Sequence, residues 1–313
     1  MLNSVKRACV IAGFLLSSLL LTGCQSSPQA DKLKQEGMAS LPPSHIIDNV
    51  PFYPQEQFYC GPTTLSEVFG FYGVDIPPED IAPQIFIPDK NGSLQLDMVS
   101  AARSYGFLPY SSRGTLTSII ELINDDIPVI VFQNLSIQLL PQWHYAVVFG
   151  HNKEKGTVTL HTGVTEQHEM SLSLFEKTWA RGNYWFLAPV PPGVASSSME
   201  PFTYISAAYD MLKIGKEDVA LQLLKTATKQ WPSEWLSFFL IANYYAQQDS
   251  LTALRWFSGG YPIAKTQQPF VHNYIIELLK HGKRDKAKKI ADSALNTFPH
   301  NDAIAAIIAE NAL

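Results

Sequence analysis

Four residues that shape helix pairs recur at a fixed spacing in the last third of the chain. Gly215, Ala220, Ala227 and Pro232 return 67 residues later as Gly282, Ala287, Ala294 and Pro299. Small residues let two helices approach closely, and a proline ends the second helix of a pair. Residues 201–313 are therefore expected to stack as helical hairpins, units that cannot bury their apolar faces alone. Upstream, Pro189-Val190-Pro191-Pro192-Gly193 and Ser196-Ser197-Ser198 read as a linker. Before it, runs with helical and with strand periodicity are mixed. A chain of 313 residues suits about two domains of ~100–200 residues, and the linker predicts that they fold separately.

The offsets within each unit resemble tetratricopeptide repeats of ~34 residues, so two periods separate the clear copies. A middle copy would span about residues 233–267, with Ala253 one residue out of register. Gly259-Gly260 is expected to interrupt its second helix as a loop. The resemblance implies a surface for a protein partner or a substrate.

The N-terminus reads as an address. Lys6 and Arg7 precede an almost wholly apolar run from Ala8 to Leu21, which ends in Leu21-Thr22-Gly23-Cys24. A basic start and an apolar run shorter than the ~18–20 residues of a spanning helix are the layout of a secretory signal. The closing four residues resemble the lipobox of bacterial lipoproteins. That implies removal of residues 1–23 and a diacylglycerol thioether on Cys24. Gln25, where an Asp would favour the inner membrane, implies by the same resemblance the outer membrane, facing the periplasm. Residues 24–49 are polar and are expected to form a flexible, lipidated tether.

Removal of residues 1–23 leaves 21 basic against 28 acidic residues, a net charge of −7. No basic patch stands out, which excludes a nucleic-acid partner. Three cysteines build neither a disulfide scaffold nor an all-cysteine metal cage. Cys9 leaves with the signal and Cys24 carries lipid, so Cys60 is the free thiol of an exported chain. Such a thiol is a liability unless it is buried or used.

Within residues 50–190, helices are predicted over 64–72, 94–105 and 117–124, and strands over 128–132, 144–149, 157–161 and 185–190. Helices first and an antiparallel-looking sheet later give an α+β domain. Its chemistry centres on Cys60. A cysteine at the head of a helix faces the positive end of the dipole, which predicts a depressed thiol pKa. Gly61 is expected to leave the sulfur uncrowded, and Pro62 suits a first helical turn. Gln55 is close enough in sequence to offer an amide to an oxyanion, with Gln57 as the competing candidate. His144 heads an apolar strand and is the candidate base. His151, His161 and His168 lack ligand spacing and read as solvated, so neither metal nor cofactor is expected.

The Gln-x4-Cys-Gly-Pro segment at 55–62 and the run Trp143-His144-Tyr145-Ala146-Val147-Val148-Phe149-Gly150 together resemble papain-like cysteine peptidases of the bacteriocin-leader-processing type. The likeness is strongest to their exported lipoprotein relatives with tetratricopeptide repeats, and it covers about residues 50–192. It implies a papain-like domain with Cys60 as nucleophile, His144 as base and Gln55 as oxyanion donor. The family usually has an Asp or Asn after the strand that follows the histidine, to orient the imidazole. Thr162 occupies that place here, and a hydroxyl is a weaker partner than a carboxylate; Asn152 is the alternative third member.

The expected protein is thus a lipid-anchored cysteine peptidase that hydrolyses peptide bonds, with repeats that hold a substrate or partner. Two other readings use the same residues: a catalytically weak peptidase-fold adaptor, and a thiol acyltransferase or amidase of the cell envelope. The relatives cut leader peptides after a double glycine while fused to transporters that face the cytoplasm, a specificity that does not transfer to an exported chain.

Overall fold

The apolar runs after residue 128 form the centre of an antiparallel sheet. A computed structural model describes residues 26–36, 42–55, 59–87, 92–137, 139–299 and 302–311. The signal segment, Cys24 and Gln57 lie outside the described residues. The first domain runs α1 (Pro28–Glu36), β1 (Ser44–Ile46), α2 (Cys60–Phe71), α3 (Pro78–Ile85), β2 (Phe86–Ile87), β3 (Gly92–Ser93), α4 (Gln95–Ser104) and β4 (Leu108–Arg113). It continues through α5 (Leu116–Asn124), β5 (Val129–Asn134), β6 (Trp143–Asn152), β7 (Thr157–Thr162), β8 (Thr165–Ser171), α6 (Leu172–Arg181) and β9 (Trp185–Val190).

The main sheet has the order β4-β9-β5-β6-β7-β8, and β1 pairs with the distal end of β6. Val129–Val131 and Tyr145–His151 are buried without alternation, because the central strands are covered on both faces. That is why those segments read as continuous apolar runs. Helix α2, buried from Gly61 to Val68 and Phe69, packs on β6 and on β3 of the small β2–β3 hairpin. Helix α5 starts with a reciprocal cap: Thr115 Oγ1 accepts from the Ser118 amide at 3.1 Å, and Ser118 Oγ from the Thr115 amide at 2.8 Å.

The expected flexible tether over 24–49 is corrected by the structure. Residues 28–36 are helical, and β1 joins the sheet. The buried Glu176 carboxylate accepts from the amides of Gln29 (3.0 Å) and Ala30 (2.7 Å) at the head of α1. A carboxylate at a helix N-terminus satisfies orphan donors and the dipole together. Polar composition hid this docking because its partner is 146 residues away.

The second domain contains the hairpins α7 (Pro201–Lys213) with α8 (Glu217–Gln230), α9 (Trp235–Ala246) with α10 (Ser250–Ala264), and α11 (Gln268–Lys280) with α12 (Arg284–Thr297), followed by α13 (Asp302–Glu310). The repeated Ala220, Ala227, Ala287 and Ala294 are all buried, as close helix packing requires. Gly259-Gly260 is not a loop; α10 runs through both residues and through Pro262. A Cβ on Gly260 would lie 2.7 Å from Phe238 Cβ and 2.8 Å from Phe270 Cζ. This glycine therefore lets three helices meet, at a cost of about 1 kcal/mol in helix propensity.

The Pro/Ser-rich stretch before α7 is packed, contrary to the expected exposed linker. Ser196 and Met199 are buried. Ser196 Oγ donates to Asp125, and the Glu200 amide donates to Tyr110 Oη at 2.8 Å. The core of the sheet domain continues through Tyr204, Ile205, Ala208, Met211 and Leu224 as far as Ile241, and a separate core begins at Ala242. Arg103 on α4 meets Asp210 on α7 at 3.2 Å, and Lys216 Nζ meets the Ser104 carbonyl at 3.0 Å. The first helical hairpin is thus built onto the sheet domain.

Candidate active site

Cys60 opens α2. Its side chain is approached by the backbone N–H groups of Tyr145, Gly61 and Cys60 itself. Tyr145 directly follows His144, so the thiol rests on the strand that carries the candidate base. Thr64 Oγ1 donates to the carbonyls of Cys60 and Gly61, each at 3.0 Å, and locks the first turn. Gly61 does not leave open space as expected. A Cβ there would lie 2.6 Å from Ser93 Oγ and 3.1 Å from Met98 Sδ, so the glycine admits β3 and α4 against the head of the helix.

His144 Nε2 lies 2.8 Å from Thr162 Oγ1. With the hydroxyl accepting the Nε2 proton, Nδ1 keeps its lone pair, the tautomer a base requires. The site contains no hydrogen bond between Cys60 and His144, a pair that in resting enzymes often closes only with substrate. Thr162 ends β7, and Gly163 and Val164 turn the chain into β8. The amide of Gln55 donates to the Gly163 carbonyl at 3.1 Å. Its side-chain Nε2 is buried without a hydrogen-bond partner, an orphan donor of the kind that calls for an explanation. Bonds therefore link Gln55 to the Thr162–Gly163 corner, Thr162 to His144, and the residue after His144 to Cys60.

Sequence reasoning missed what holds Gln55. Glu67 is fully buried on α2, two turns below Cys60, and its Oε1 accepts from the Tyr53 amide at 3.2 Å. Burial raises its pKa to about 8, so it is a neutral acid at pH 7. Tyr145 Oη donates to the Ser93 carbonyl at 3.2 Å and fixes the small hairpin beside the nucleophile. No local pattern signals either contact.

Electrostatics differ from the expectation of a depressed thiol. Burial pushes the Cys60 pKa above its ordinary value, outweighing the three backbone donors, and lowers His144 to about 4. At neutral pH both groups are uncharged. Two of the three histidines expected to be solvated are also corrected, while His168 is partly exposed. His161 is buried between Val50 and Phe149, with Nε2 3.2 Å from the Val50 carbonyl, and His151 is buried with Nε2 2.8 Å from Asn124 Oδ1. Asn152 accepts from the Lys155 amide at 2.9 Å in the β6–β7 turn. That lies eight residues, roughly 26 Å, along the strand from His144. Among the described residues no group of three His, Cys, Asp or Glu is placed to hold a metal ion.

A thiol at the head of a buried helix, lying on the strand of a histidine and beside an antiparallel sheet, defines the papain-like class of fold. Residues 47–184, somewhat under half of the chain, match the Peptidase_C39 like family. Among solved structures, a peptidase of this type from Bacillus anthracis is 15% identical, with 49% of this chain and 98% of that chain covered and a TM-score of 0.41. The peptidase domain of Streptococcus ComA, a bifunctional ABC transporter of a quorum-sensing pathway, is 22% identical over 46% of this chain and 99% of its own, at a TM-score of 0.39. YrrB, a tetratricopeptide protein with an unusual peptide-binding site, is 16% identical over 43% of this chain and 62% of its own, at 0.30. Among curated proteins the chain has no match.

Proposed function

We propose that the chain is an exported, lipid-anchored cysteine peptidase that hydrolyses peptide bonds through Cys60 and His144. The observation that carries the reading is the linked set of Cys60 on the Tyr145 amide, His144 on Thr162, and the orphan Gln55 amide tied to Gly163. His144 Nδ1 takes the thiol proton as Sγ attacks the peptide carbonyl, and Gln55 Nε2 donates to the oxyanion that forms. The C–N bond then breaks, and His144 returns its proton to the leaving amine. Water attacks the thioester with His144 again as base, which releases the acid and restores the thiol. Thr162 acts as a positioning residue through the imidazole.

The N-terminal Lys6-Arg7, apolar run and Cys24 support export, removal of residues 1–23 and a diacylglycerol on Cys24, with the outer membrane as destination. Among the described residues no helix is long and apolar enough to cross a membrane. The repeats would hold a peptide substrate or a protein partner. A second reading, the weak or inactive adaptor, is favoured by one observation: among the described residues the partner of His144 is a hydroxyl, and burial lowers its pKa to about 4. Transfer to an amine in place of water would make the same site an acyltransferase.

The purified mature chain incubated with envelope peptides should produce new N-termini, read by mass spectrometry. Cys60→Ala should abolish them. Gln55→Ala should slow them by about 10²-fold or more while Cys60 still alkylates. Products joined to an added amine would identify transfer. No turnover from a chain whose Cys60 alkylates in the folded state would favour the adaptor.

A further inference from the structure

The segment between β5 and β6 is unusually apolar for a surface. Residues 134–143 contain no charged side chain, and Leu139 and Leu140 are 85% and 70% exposed, with Ile137 at 58% and Trp143 at 50%. The described part of this tip is held in shape. Asn134 Oδ1 accepts from the amides of Ser136 (3.0 Å) and Gln142 (2.9 Å), while Arg181 Nη1 donates to the carbonyls of Asn134 (3.2 Å) and Ser136 (2.8 Å). Trp143 stacks on Phe132 at 4.9 Å. Polar groups therefore fix an apolar knob in water, a feature that marks an interaction site. Leucines lining a peptide cleft would be partly covered by the opposite wall; these stand clear of their own protein.

Helix α6 runs from this tip to the point where the N-terminal segment docks. Arg181 at its end holds the tip, and Ser173 at its start meets Ser27 Oγ at 2.7 Å. Two residues separate Cys24 from Ser27, about 10 Å of extended chain, and α6 itself is about 15 Å long. Leu174 is 51% exposed, and Leu174, Lys177 and Arg181 recur at the i, i+3, i+7 spacing of one helix face. An apolar knob ending in a tryptophan, next to a face that carries Lys177, fits the boundary between acyl chains and anionic head groups.

We propose that the β5–β6 tip and the outer face of α6 dock on a lipid bilayer, with Leu139 and Leu140 inserted and Lys177 facing anionic head groups. The anchor reading adds a second attachment at the other end of the same helix, but the docking does not depend on it. His144 follows Trp143, so docking brings the mouth of the site to the lipid surface. Two weak attachments together hold where one exchanges.

The mature chain from residue 25, made without lipid, would be floated with vesicles of phosphatidylethanolamine and phosphatidylglycerol, and with phosphatidylcholine alone. It should float with the anionic vesicles and less with the neutral ones. Leu139→Glu with Leu140→Glu should lower the partition by about tenfold or more, and Leu174→Glu by a smaller factor. Brominated acyl chains should quench a fluorescence component that Trp143→Phe removes. Cys60→Ser should float like the parent, which separates this proposal from the fate of the peptidase reading. Absence of flotation, or equal flotation of the double variant, overturns the proposal. So does loss of peptide cleavage by the double variant in vesicle-free buffer with flotation unchanged, which would make the tip a substrate wall.

Discussion

At Cys60 three backbone N–H groups pull the thiol pKa down and burial pushes it up more strongly. Burial likewise drives His144 down to about 4, and among the described residues its Nε2 meets the uncharged Thr162 hydroxyl. The helix dipole at Cys60 is a real force, but desolvation, which depends on the whole fold, outweighs it. Between pH 5 and 8 the folded protein thus holds a neutral thiol and a neutral imidazole. Alkylation of Cys60 by iodoacetamide should accelerate steadily as pH rises toward and past 9, with no thiolate plateau near neutrality; a plateau below pH 7 would contradict the assignment. Thr162→Asp would place an anion against His144 Nε2, raising the imidazole pKa and favouring an imidazolium–thiolate pair. Labelling at pH 7 should then rise by about tenfold for each unit by which the thiol pKa falls.

At the scale of elements, two adjacent glycines in α10 separate intrinsic propensity from packing. A Cβ on Gly259 meets nothing within 4 Å, whereas on Gly260 it strikes Phe238 and Phe270. Gly259→Ala should raise the melting temperature, through a gain of up to about 1 kcal/mol in helix propensity. Gly260→Ala has the same propensity gain but overpacks three helices, a loss of about 1–3 kcal/mol, so its melting temperature should fall. Equal shifts in thermal unfolding would mean that α10 is not seated as described. The pair Gly-Gly read as a breaker because local rules treat glycine as backbone freedom. Here one of the two is a contact surface. The strand over 185–190 was legible to the residue, since a fully buried run carries its own signal. Strand β8, with the sequence TEQHEMS and mostly exposed, carries none and exists because β7 pairs with it.

Across the whole molecule, the boundary between the domains lies later than composition indicates. Met199, Tyr204, Ile205 and Met211 belong to the same core as Leu108 and Val190, so a chain ending at Val190 leaves that surface bare. Such a chain should be insoluble or melt far below one ending at Gln230, which retains α7 and α8. Limited proteolysis should likewise spare residues 194–199; a first cut there with two stable products would restore the simple linker. The sequence by itself determined the helical repeats, the central strands and the pairing of Cys60 with His144 as candidates, because periodicity and motif spacing are local properties of the chain. Only the tertiary structure decided that Thr162 and not Asn152 meets the imidazole, that Glu67 holds the segment bearing Gln55, and that polar residues 28–36 are docked. The physical reason is the same in each case. Desolvation, a hydrogen bond across 146 residues and close approach of helices depend on which groups the fold brings together, and no local pattern signals that.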